Sequence, residues 1–236
     1  MVSNYRHTYI ILVAAGSGSR YGSDIPKQYC LLQGRPVVMH AIDALRRACP
    51  GARLMLVISE SERQRWQDLC NEYAFRSPDI TFGGSSRFES VRNALRSAPA
   101  DARYVMVHDG ARPFPDDEMV RQLFFTLDTC QADGALPALS VTDSLRAFDL
   151  GGDKLYTRAV DRSLYRTVQT PQLFPAAVIL DAYSRAGSAE NYTDDASVVE
   201  AAGYSAISLS AGSRTNIKIT NPGDIRLAEF FLSQKC

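Results

Sequence analysis

A glycine-rich segment near the start of the chain carries the residues best suited to chemistry. Residues 14–18 read Ala-Ala-Gly-Ser-Gly, and they follow an apolar run from Tyr9 to Val13 that predicts a buried strand. Small residues let backbone N–H groups approach a ligand closely, and successive N–H groups form a concave anion site. Arg20 and Lys27 add two cations. Together these features favour a phosphate-rich ligand; the alternative is an ordinary turn whose charges lie in solvent.

Two familiar phosphate-binding motifs do not fit this segment. A Walker loop needs a second glycine five residues after Gly16, and a dinucleotide-binding motif needs one three residues after Gly18. Both positions fall on Tyr21, and Pro26 interrupts any helix soon afterwards. The segment therefore predicts a phosphate loop of another kind.

A second segment, residues 107–113, reads Val-His-Asp-Gly-Ala-Arg-Pro and follows another predicted strand. Asp109 beside a phosphate loop is a natural magnesium ligand, either directly or through water. Arg112 could bind a phosphate with both arms of its guanidinium, since Pro113 restricts its turn. The alternatives are that Asp109 bonds its own backbone in a turn and that Arg112 is simply solvated.

Two further features are weaker on their own. The segment 83–85, Gly-Gly-Ser, could let the backbone reach the edge of a nucleobase, although a plain turn explains it nearly as well. Lys218 lies between Ile217 and Ile219, so in a strand it would face away from them, either into a site or into solvent.

The hydrophobic pattern predicts the elements that must position these segments. Apolar runs predict strands at 9–13, 53–58, 80–82, 104–107, 135–139 and 204–209. Helical patterns predict helices at 36–48, 59–73, 88–97, 116–130, 176–185 and 195–202, with a last helix starting near 221. Ser59 with Glu62 resembles a capping box, and Asn221 could cap the last helix.

This alternation of strands and helices indicates an α/β fold with a mainly parallel sheet covered on both faces. Ligands of such sheets bind beyond the carboxyl ends of the strands. The candidate segments follow the predicted strand ends Val13, Phe82 and Val107. We therefore expect them to share one site.

Residues 140–170 depart from the alternation. Two extended runs, 144–148 and 155–160, flank Gly151-Gly152 without a helix between them, which predicts a β-hairpin. An exposed hairpin edge favours a partner, so we expect a dimerisation arm; the alternative is a hairpin folded back on its own domain. No linker is evident, and we interpret residues 1–236 as a single domain with 140–170 as its arm.

Composition narrows the functional class. Lys+Arg and Asp+Glu each number 26 among 236 residues, so no global positive field indicates a nucleic-acid partner. No apolar run approaches the ~18 residues of a membrane span, and the first residues lack the apolar core of a signal peptide. Five scattered cysteines favour reduced thiols and a cytoplasmic protein. No arrangement of residues suggests a covalent nucleophile.

Taken together, the motifs resemble one family. Residues 14–20 with Pro26-Lys27-Gln28 are similar to the signature of sugar- and polyol-phosphate nucleotidyltransferases. Later segments resemble, in the same order, those of the 2-C-methyl-D-erythritol 4-phosphate cytidylyltransferases of the non-mevalonate isoprenoid pathway. These segments are 107–113, 160–162, 170–172, 193–196 and 216–219. The resemblance covers essentially the whole chain.

The resemblance implies a Rossmann-like nucleotidyltransferase fold with a protruding β-hairpin arm that forms a homodimer. It also implies transfer of CMP from CTP to 2-C-methyl-D-erythritol 4-phosphate, with Mg²⁺ or another divalent cation as cofactor. The implied CTP-binding residues are Ala14, Ala15, Gly16, Gly84, Ser85, Ser90, Asp109 and Gly110. The implied catalytic residues are Arg20, Lys27, Arg162 and Lys218, with Arg162 from the partner's arm. The implied acceptor-binding residues are Arg112, Ser144, Thr170 and Thr193.

The implied reaction is an in-line attack of the acceptor phosphate on the α-phosphorus of CTP. The nucleophile is already anionic, so no general base is required, and catalysis consists of positioning and charge stabilisation. Asp109 would hold the metal directly or through water, with the CTP phosphates as its main ligands. Two positions depart from the family: Ser85 is often acidic in relatives, and residues 143–146 read Asp-Ser-Leu-Arg where many have Asp-Thr followed by Lys.

Three other functions remain as alternatives. A ribitol 5-phosphate cytidylyltransferase would share the fold and most motifs. A nicotinamide-dependent oxidoreductase is disfavoured by the glycine spacing and by the absence of an obvious ribose-binding acid ~20 residues further on. A non-catalytic binding protein would be expected to lack Arg20 or Lys27, and both are present.

Overall fold

The computed structural model describes residues 2–16, 25–149, 156–187 and 192–234. The strands are β1 Thr8–Val13, β2 Leu31–Leu32, β3 Arg35–Pro36, β4 Arg53–Ile58, β5 Asp79–Phe82, β6 Tyr104–Asp109, β7 Gly134–Ser140, β8 Leu145–Asp149, β9 Tyr156–Val160, β10 Arg166–Val168, β11 Gln172–Pro175 and β12 Ile207–Ala211. The α-helices are α1 Val2–Tyr5, α2 Val37–Ala48, α3 Arg63–Glu72, α4 Arg87–Leu95, α5 Asp117–Cys130, α6 Ala176–Arg185, α7 Asp195–Ala201 and α8 Gly223–Ser233.

A mixed, mostly parallel sheet forms the centre of the structure. Its strand order is β10-β7-β11-β6-β1-β4-β5, with β12 also paired to β7. Strand β1 runs parallel to β4 and β6, and its residues are almost all buried because helices cover both faces. Strand β11 is antiparallel to β6 and β7. The predicted α/β fold class is therefore confirmed, with an antiparallel insertion between β6 and β7.

The side chains of β1 alternate between two cores. Ile10 and Leu12 pack with residues of α2, α3 and α5 on one face of the sheet. Tyr9 and Ile11 pack with residues of α4, α6 and α7 on the other face. This period of two is the one expected for a strand covered on both sides. The two cores hold the ends of β1, β5 and β6 in one fixed arrangement.

A smaller third core places the segment that carries Lys218. Ile219 is fully buried against Phe114 and against Ala228 of α8. The Ile219 N–H donates to the Ala111 carbonyl at 2.8 Å, just beyond the end of β6. The segment 216–219 is therefore fixed beside β6, although it is not a strand, contrary to the geometry considered for Lys218.

Several element boundaries differ from the predicted ones. Strand β6 continues to Asp109, two residues further than expected, because β1 pairs with it up to Val13. Strands β10 and β11 were not predicted, since both are short and carry polar residues. The match to the predicted strand 53–58 and the predicted helix 176–185 is complete.

Two predicted helix caps are absent. Ser59 makes no capping hydrogen bond, because its hydroxyl bonds that of Ser61 at 2.9 Å, and α3 begins only after a 3₁₀ turn. At the last helix, Asn221 does not act as the cap. Instead the Asp224 carboxylate reaches back to accept the backbone N–H groups of Thr220 and Asn221, at 2.7 and 2.8 Å.

Strands β8 and β9 form the predicted hairpin as a separate two-stranded antiparallel sheet. Large apolar side chains on and beside it are exposed, including Phe148, Tyr156 and Leu164. The tip of the hairpin, 150–155, lies outside the described residues. Its role as a dimerisation arm stays a prediction. Within the described ranges, every helix is too short or too polar to traverse a lipid bilayer.

Candidate active site

A cleft of about 480 Å³ opens at the carboxyl ends of β1, β5 and β6. Backbone and small side chains form one part of its wall, and charged side chains form the rest. Of the predicted site residues, the cleft is lined by Ala14, Ala15, Gly16, Lys27, Gly84, Ser85, Ser90, Asp109 and Lys218. The three segments that follow predicted strand ends therefore share one site, as expected from the topology.

Gln28 fixes the first of these segments. Its side chain is buried, and its Nε2 donates to the carbonyl oxygens of Ala14 and Gly16 at 2.7 and 3.1 Å. Gln28 lies in the 3₁₀ turn that starts at Lys27. The two hydrogen bonds therefore hold the end of β1 and the Lys27 turn in a fixed relation. The sequence does not indicate this role of Gln28, because its partners are backbone carbonyl groups, which every residue carries.

Two glycines allow the three segments to pack closely. A Cβ on Gly110 would lie 2.9 Å from the Ala14 Cβ, and one on Gly83 would lie 2.5 Å from the Ala15 Cβ. Both distances are too short for carbon atoms, so a side chain at either position would push the segments apart. Gly110 itself is buried below the cleft, where its N–H donates to the Val13 carbonyl at 2.8 Å.

A local hydrogen-bond network orders the loop before α4. The Ser90 hydroxyl accepts the Gly84 N–H at 3.2 Å and donates to the Ser86 carbonyl at 2.8 Å. The Glu89 carboxylate accepts the N–H and hydroxyl of Ser85 at 2.8 and 2.6 Å. These bonds to Ser85 lower the pKa of Glu89. Residues of α4 therefore order the loop that precedes this helix. Ser85 contributes a small, neutral side chain to the cleft wall.

The carboxylate of Asp109 lies among three positively charged side chains of the site. Its Oδ2 lies 2.7 Å from the Lys218 Nζ and 3.9 Å from the Arg112 Nε, and its Oδ1 lies 3.4 Å from the Arg87 Nε. Burial alone would raise the pKa of Asp109, but the neighbouring Arg87, Lys218 and Arg112 hold it well below its usual range. The carboxylate is therefore ionised throughout the physiological pH range.

A chain of hydrogen bonds beneath the cleft supports Asp109. Its N–H donates to the Thr170 hydroxyl oxygen at 3.0 Å, and that oxygen lies 3.0 Å from the His108 Nδ1. Burial lowers the pKa of His108 to about 4, so the ring is neutral at pH 7. The consistent arrangement is that Thr170 donates to Nδ1 while Nε2–H donates to the Arg112 carbonyl, 3.0 Å away.

The predicted acceptor residues are more dispersed. Thr170 is buried with its hydroxyl committed to His108 and Asp109, and Arg112 donates to the Asn216 carbonyl at 2.8 Å. Thr193 is exposed just before α7. In the described part of the chain, none of these three lines the cleft.

The two arm residues are exposed and also stand apart from the cleft. Ser144 precedes β8, and Arg162 follows β9 and donates to the Thr142 carbonyl. Arg20 lies outside the described residues. The roles predicted for Ser144, Arg162 and Arg20 stay predictions.

Arg87 is a charged residue of the cleft wall that the sequence patterns did not predict. It lines the cleft and pairs through both terminal nitrogens with the Asp195 carboxylate, at 3.0 and 2.6 Å. A cation in the first turn of a helix opposes the helix dipole, so an arginine at this position is unfavourable without a specific partner. An arginine at the start of a predicted helix was therefore the feature of the sequence that could have indicated a specific acidic partner.

The donor set is compatible with a divalent cation held mainly by phosphate. Asp109 is the one carboxylate among the described residues of the cleft wall. Across the described ranges, no group of three or more His, Cys, Asp or Glu side chains is arranged to hold a metal. Mg²⁺ commonly binds one or two carboxylates together with substrate phosphates. An ionised Asp109 beside a phosphate-binding cleft fits that pattern.

The chain is similar to known proteins in family, sequence and structure. Residues 8–234 match the family model of 2-C-methyl-D-erythritol 4-phosphate cytidylyltransferase. The chain is similar to proteins of that name from Azobacteroides pseudotrichonymphae, 39% identical over 95% of this chain and 98% of the relative, and from Porphyromonas gingivalis, 41% identical over 95% and 97%.

Solved structures agree with these matches. A 4-diphosphocytidyl-2C-methyl-D-erythritol synthase from Anaerococcus prevotii shares the fold with a TM-score of 0.81, at 24% identity over 98% of both chains. A 2-C-methyl-D-erythritol 4-phosphate cytidylyltransferase from Thermus thermophilus has a TM-score of 0.73 at 28% identity, covering 94% of this chain and 98% of that chain.

The contacts of Gln28 generate the first prediction. Gln28→Ala removes both N–H donors that hold residues 14–16, and it leaves two carbonyl oxygens without these partners. We expect CTP affinity to fall about 10-fold and the free energy of unfolding to fall by about 1–3 kcal/mol. Calorimetric titration with CTP and urea unfolding measure the two effects.

Gln64→Ala is the matched control, because Gln64 bonds only the exposed Asp68 on the same helix, at 2.9 Å. Its CTP affinity should equal that of the unmodified protein. A folded Gln28→Ala variant with unchanged CTP affinity would show that the loop does not depend on this residue.

Proposed function

Because the chain belongs to the 2-C-methyl-D-erythritol 4-phosphate cytidylyltransferase family, it transfers CMP from CTP to that acceptor, and we propose how its residues divide the reaction. The observation that carries the proposal is the arrangement of charge in the cleft. Lys27 lies beside the residue 14–16 backbone, and the Lys218 Nζ lies 2.7 Å from Asp109. Cations therefore flank a phosphate-binding loop.

In the proposed division, CTP binds across the cleft. The backbone of Ala14, Ala15 and Gly16 receives the triphosphate together with Lys27 and Arg20. The loop at Gly84 and Ser85, ordered by Ser90, receives the cytosine through backbone groups. Two features support this orientation. Neutral, hydrogen-bonded serines form one part of the cleft wall, and Lys27 lies beside the glycine segment. Asp109 and Gly110 would then lie between nucleotide and acceptor.

The reaction needs positioned charge rather than proton transfer. A phosphate oxygen of the acceptor forms a bond to the α-phosphorus of CTP, and the bond from that phosphorus to the departing pyrophosphate oxygen breaks. The attacking oxygen is already anionic, so no base is required. Lys27, Lys218 and Arg20 would stabilise the negative charge of the transition state, each contributing about 10²-fold or more to the rate.

Asp109 is the residue that we propose to hold Mg²⁺, directly or through water. When bound, the cation would neutralise negative charge on the phosphates, including that of the leaving pyrophosphate. Asp109 can serve because the surrounding cations keep its carboxylate ionised. The phosphates of CTP would supply most of the remaining ligands.

We propose that the acceptor site is completed in a homodimer. Arg112, Thr170 and Thr193 belong to the body of the domain, whereas Ser144 and Arg162 lie on the arm, outside the cleft of their own chain. A partner's arm could deliver Arg162 to the acceptor phosphate. Exposed apolar side chains on the arm, Phe148, Tyr156 and Leu164, support its role in association.

The proposed setting is the cytoplasm, with small-molecule substrates and no nucleic-acid or membrane partner. Cys30, Cys49, Cys70 and Cys130 are all free thiols, which suits a reducing compartment. The balanced charge of 26 basic and 26 acidic residues offers no general attraction to polyanions. The family match also favours methylerythritol phosphate over ribitol 5-phosphate as the acceptor.

The central test is release of pyrophosphate from CTP with each acceptor offered separately. We expect release with 2-C-methyl-D-erythritol 4-phosphate, dependent on Mg²⁺, and none with ribitol 5-phosphate. Lys27→Ala should lower the rate by about 10²-fold or more while the protein stays folded. Arg65→Ala, which removes an exposed cation on α3, is the control and should leave the rate unchanged. A near-normal rate in Lys27→Ala would remove Lys27 from the mechanism.

Subunit mixing tests the shared site. Arg162→Ala should raise the KM for the acceptor far more than the KM for CTP. A mixed dimer of Arg162→Ala and Lys27→Ala chains contains one site with both residues intact, so we expect it to regain activity that neither variant has alone. Mixed dimers are isolated with two affinity tags, and light scattering verifies their mass. If verified mixed dimers stay inactive, each site uses the Arg162 of its own chain or none.

A further inference from the structure

Asp195 is a fully buried carboxylate at the first position of α7, and the proposed mechanism assigns it no role. Both of its oxygens are engaged. Arg87 donates to them from Nη1 at 3.0 Å and Nη2 at 2.6 Å, and the Tyr183 hydroxyl donates to Oδ1 at 2.7 Å. A two-pronged pair of this kind fixes the guanidinium in direction as well as in place.

The same arginine meets Asp109, but by a much weaker contact. Only its Nε reaches the Asp109 Oδ1, at 3.4 Å. The other oxygen, Oδ2, is left to the Lys218 Nζ at 2.7 Å. Arg87 therefore lies between two carboxylates and is committed to the one that lies away from the reaction.

We propose that Asp195 is a positioning residue: it anchors Arg87 and thereby keeps Asp109 available to hold Lys218 beside the reacting phosphates. The inference rests on the proposed roles of Asp109 and Lys218. Asp195 itself touches neither substrate, since its side chain is fully enclosed.

Two cations, Arg87 and Lys218, compete for the carboxylate of Asp109. Without the charge of Asp195, the largely buried guanidinium of Arg87 would need a new anionic partner, and Asp109 already lies 3.4 Å from it. A two-pronged pair with Asp109 would use both of its oxygens. Lys218 would lose its partner, and because its side chain is 41% exposed, its strongly hydrated ammonium could return to water at little cost.

Aromatic packing keeps the anchor in place. Phe88, next to Arg87, stacks on the Tyr183 ring at 5.0 Å between ring centroids, with the ring planes 9° apart. The Tyr192 ring packs against Phe88 at 5.1 Å. The start of α4 is thus tied to α6 and to the segment before α7. The direction of the Arg87 side chain is set by elements that do not line the cleft.

Asp195→Asn is the first variant for the test, because it removes the charge and keeps the shape. We expect kcat/KM for the acceptor to fall about 10- to 100-fold. In its crystal structure, Arg87 should pair with both oxygens of Asp109, and the Lys218 Nζ should lie more than about 4 Å from them.

The double variant Arg87→Gln/Asp195→Asn distinguishes positioning from simple support of the fold. It removes the competing cation together with its anchor, and it leaves two neutral groups that can still hydrogen-bond. We expect it to regain most of the lost kcat/KM, so that the second substitution rescues the first. A purely structural role predicts that the double variant is at least as impaired as Asp195→Asn. If Asp195→Asn alone does not fold, the double variant is compared directly with the unmodified enzyme.

Asp181→Asn is the matched control. Asp181 also pairs with an arginine and a tyrosine, Arg185 at 2.9 Å and Tyr204 at 3.0 Å, but on the exposed side of α6. Its kcat/KM should be unchanged.

Two results would overturn the inference: normal acceptor kcat/KM in folded Asp195→Asn, or a folded double variant at least as impaired as Asp195→Asn. If that single variant does not fold, a double variant as slow as Lys218→Ala is the second of these results. The proposed function is checked separately, since its failure would show as normal activity in Lys218→Ala itself.

Discussion

A buried carboxylate must be paired, and the pairing of Asp109 organises the rest of the site. Placing an ion in a protein interior is costly unless opposite charges and hydrogen bonds surround it. Here the partners come from far along the chain: Lys218 follows Asp109 by 109 residues, and Arg87 precedes it by 22. Each contact joins the end of β6 to a different segment. The contacts that compensate the buried charge of Asp109 are therefore also the contacts that fix the geometry of the site.

The same pairing makes the cleft suitable for polyphosphates. An isolated carboxylate beside residues 14–16 would repel an anionic substrate, but Asp109 lies among Lys218, Arg87 and Arg112. Because these charges are already oriented when the substrates arrive, little reorganisation is needed in the transition state. A reaction whose nucleophile is already anionic needs this kind of fixed field rather than a proton acceptor. In agreement with this, the neighbouring His108 is fully buried and hydrogen-bonded as support for Asp109.

The sequence predicted what depends on local pattern and missed what depends on distant partners. The apolar run of β1 and the spacing of the glycines after it are local sequence patterns, so the parallel sheet and its ligand-binding edge could be predicted. Strand β11 could not be predicted, because its four residues form a strand only through their pairing with β6 and β7.

The contacts of Gln28 and Asp195 were missed for the same reason, although both residues lie in segments that carry the family resemblance. Nothing in their neighbourhoods indicates that one holds the Ala14 and Gly16 carbonyls and the other holds Arg87. Apart from Arg112, the residues implied for the acceptor site came from the resemblance alone, and those on the arm lie apart from the cleft.

The hairpin of β8 and β9 links assembly to the proposed chemistry. A two-stranded sheet is marginally stable in water on its own, and this one exposes Phe148 and Tyr156 instead of burying them. A second surface that covers these side chains would stabilise the hairpin, and the proposed homodimer supplies one. The same contact would bring Arg162 to a cleft that its own chain does not complete. On this argument a single chain holds the nucleotide half of the site and part of the acceptor half, and association of two chains completes the acceptor half.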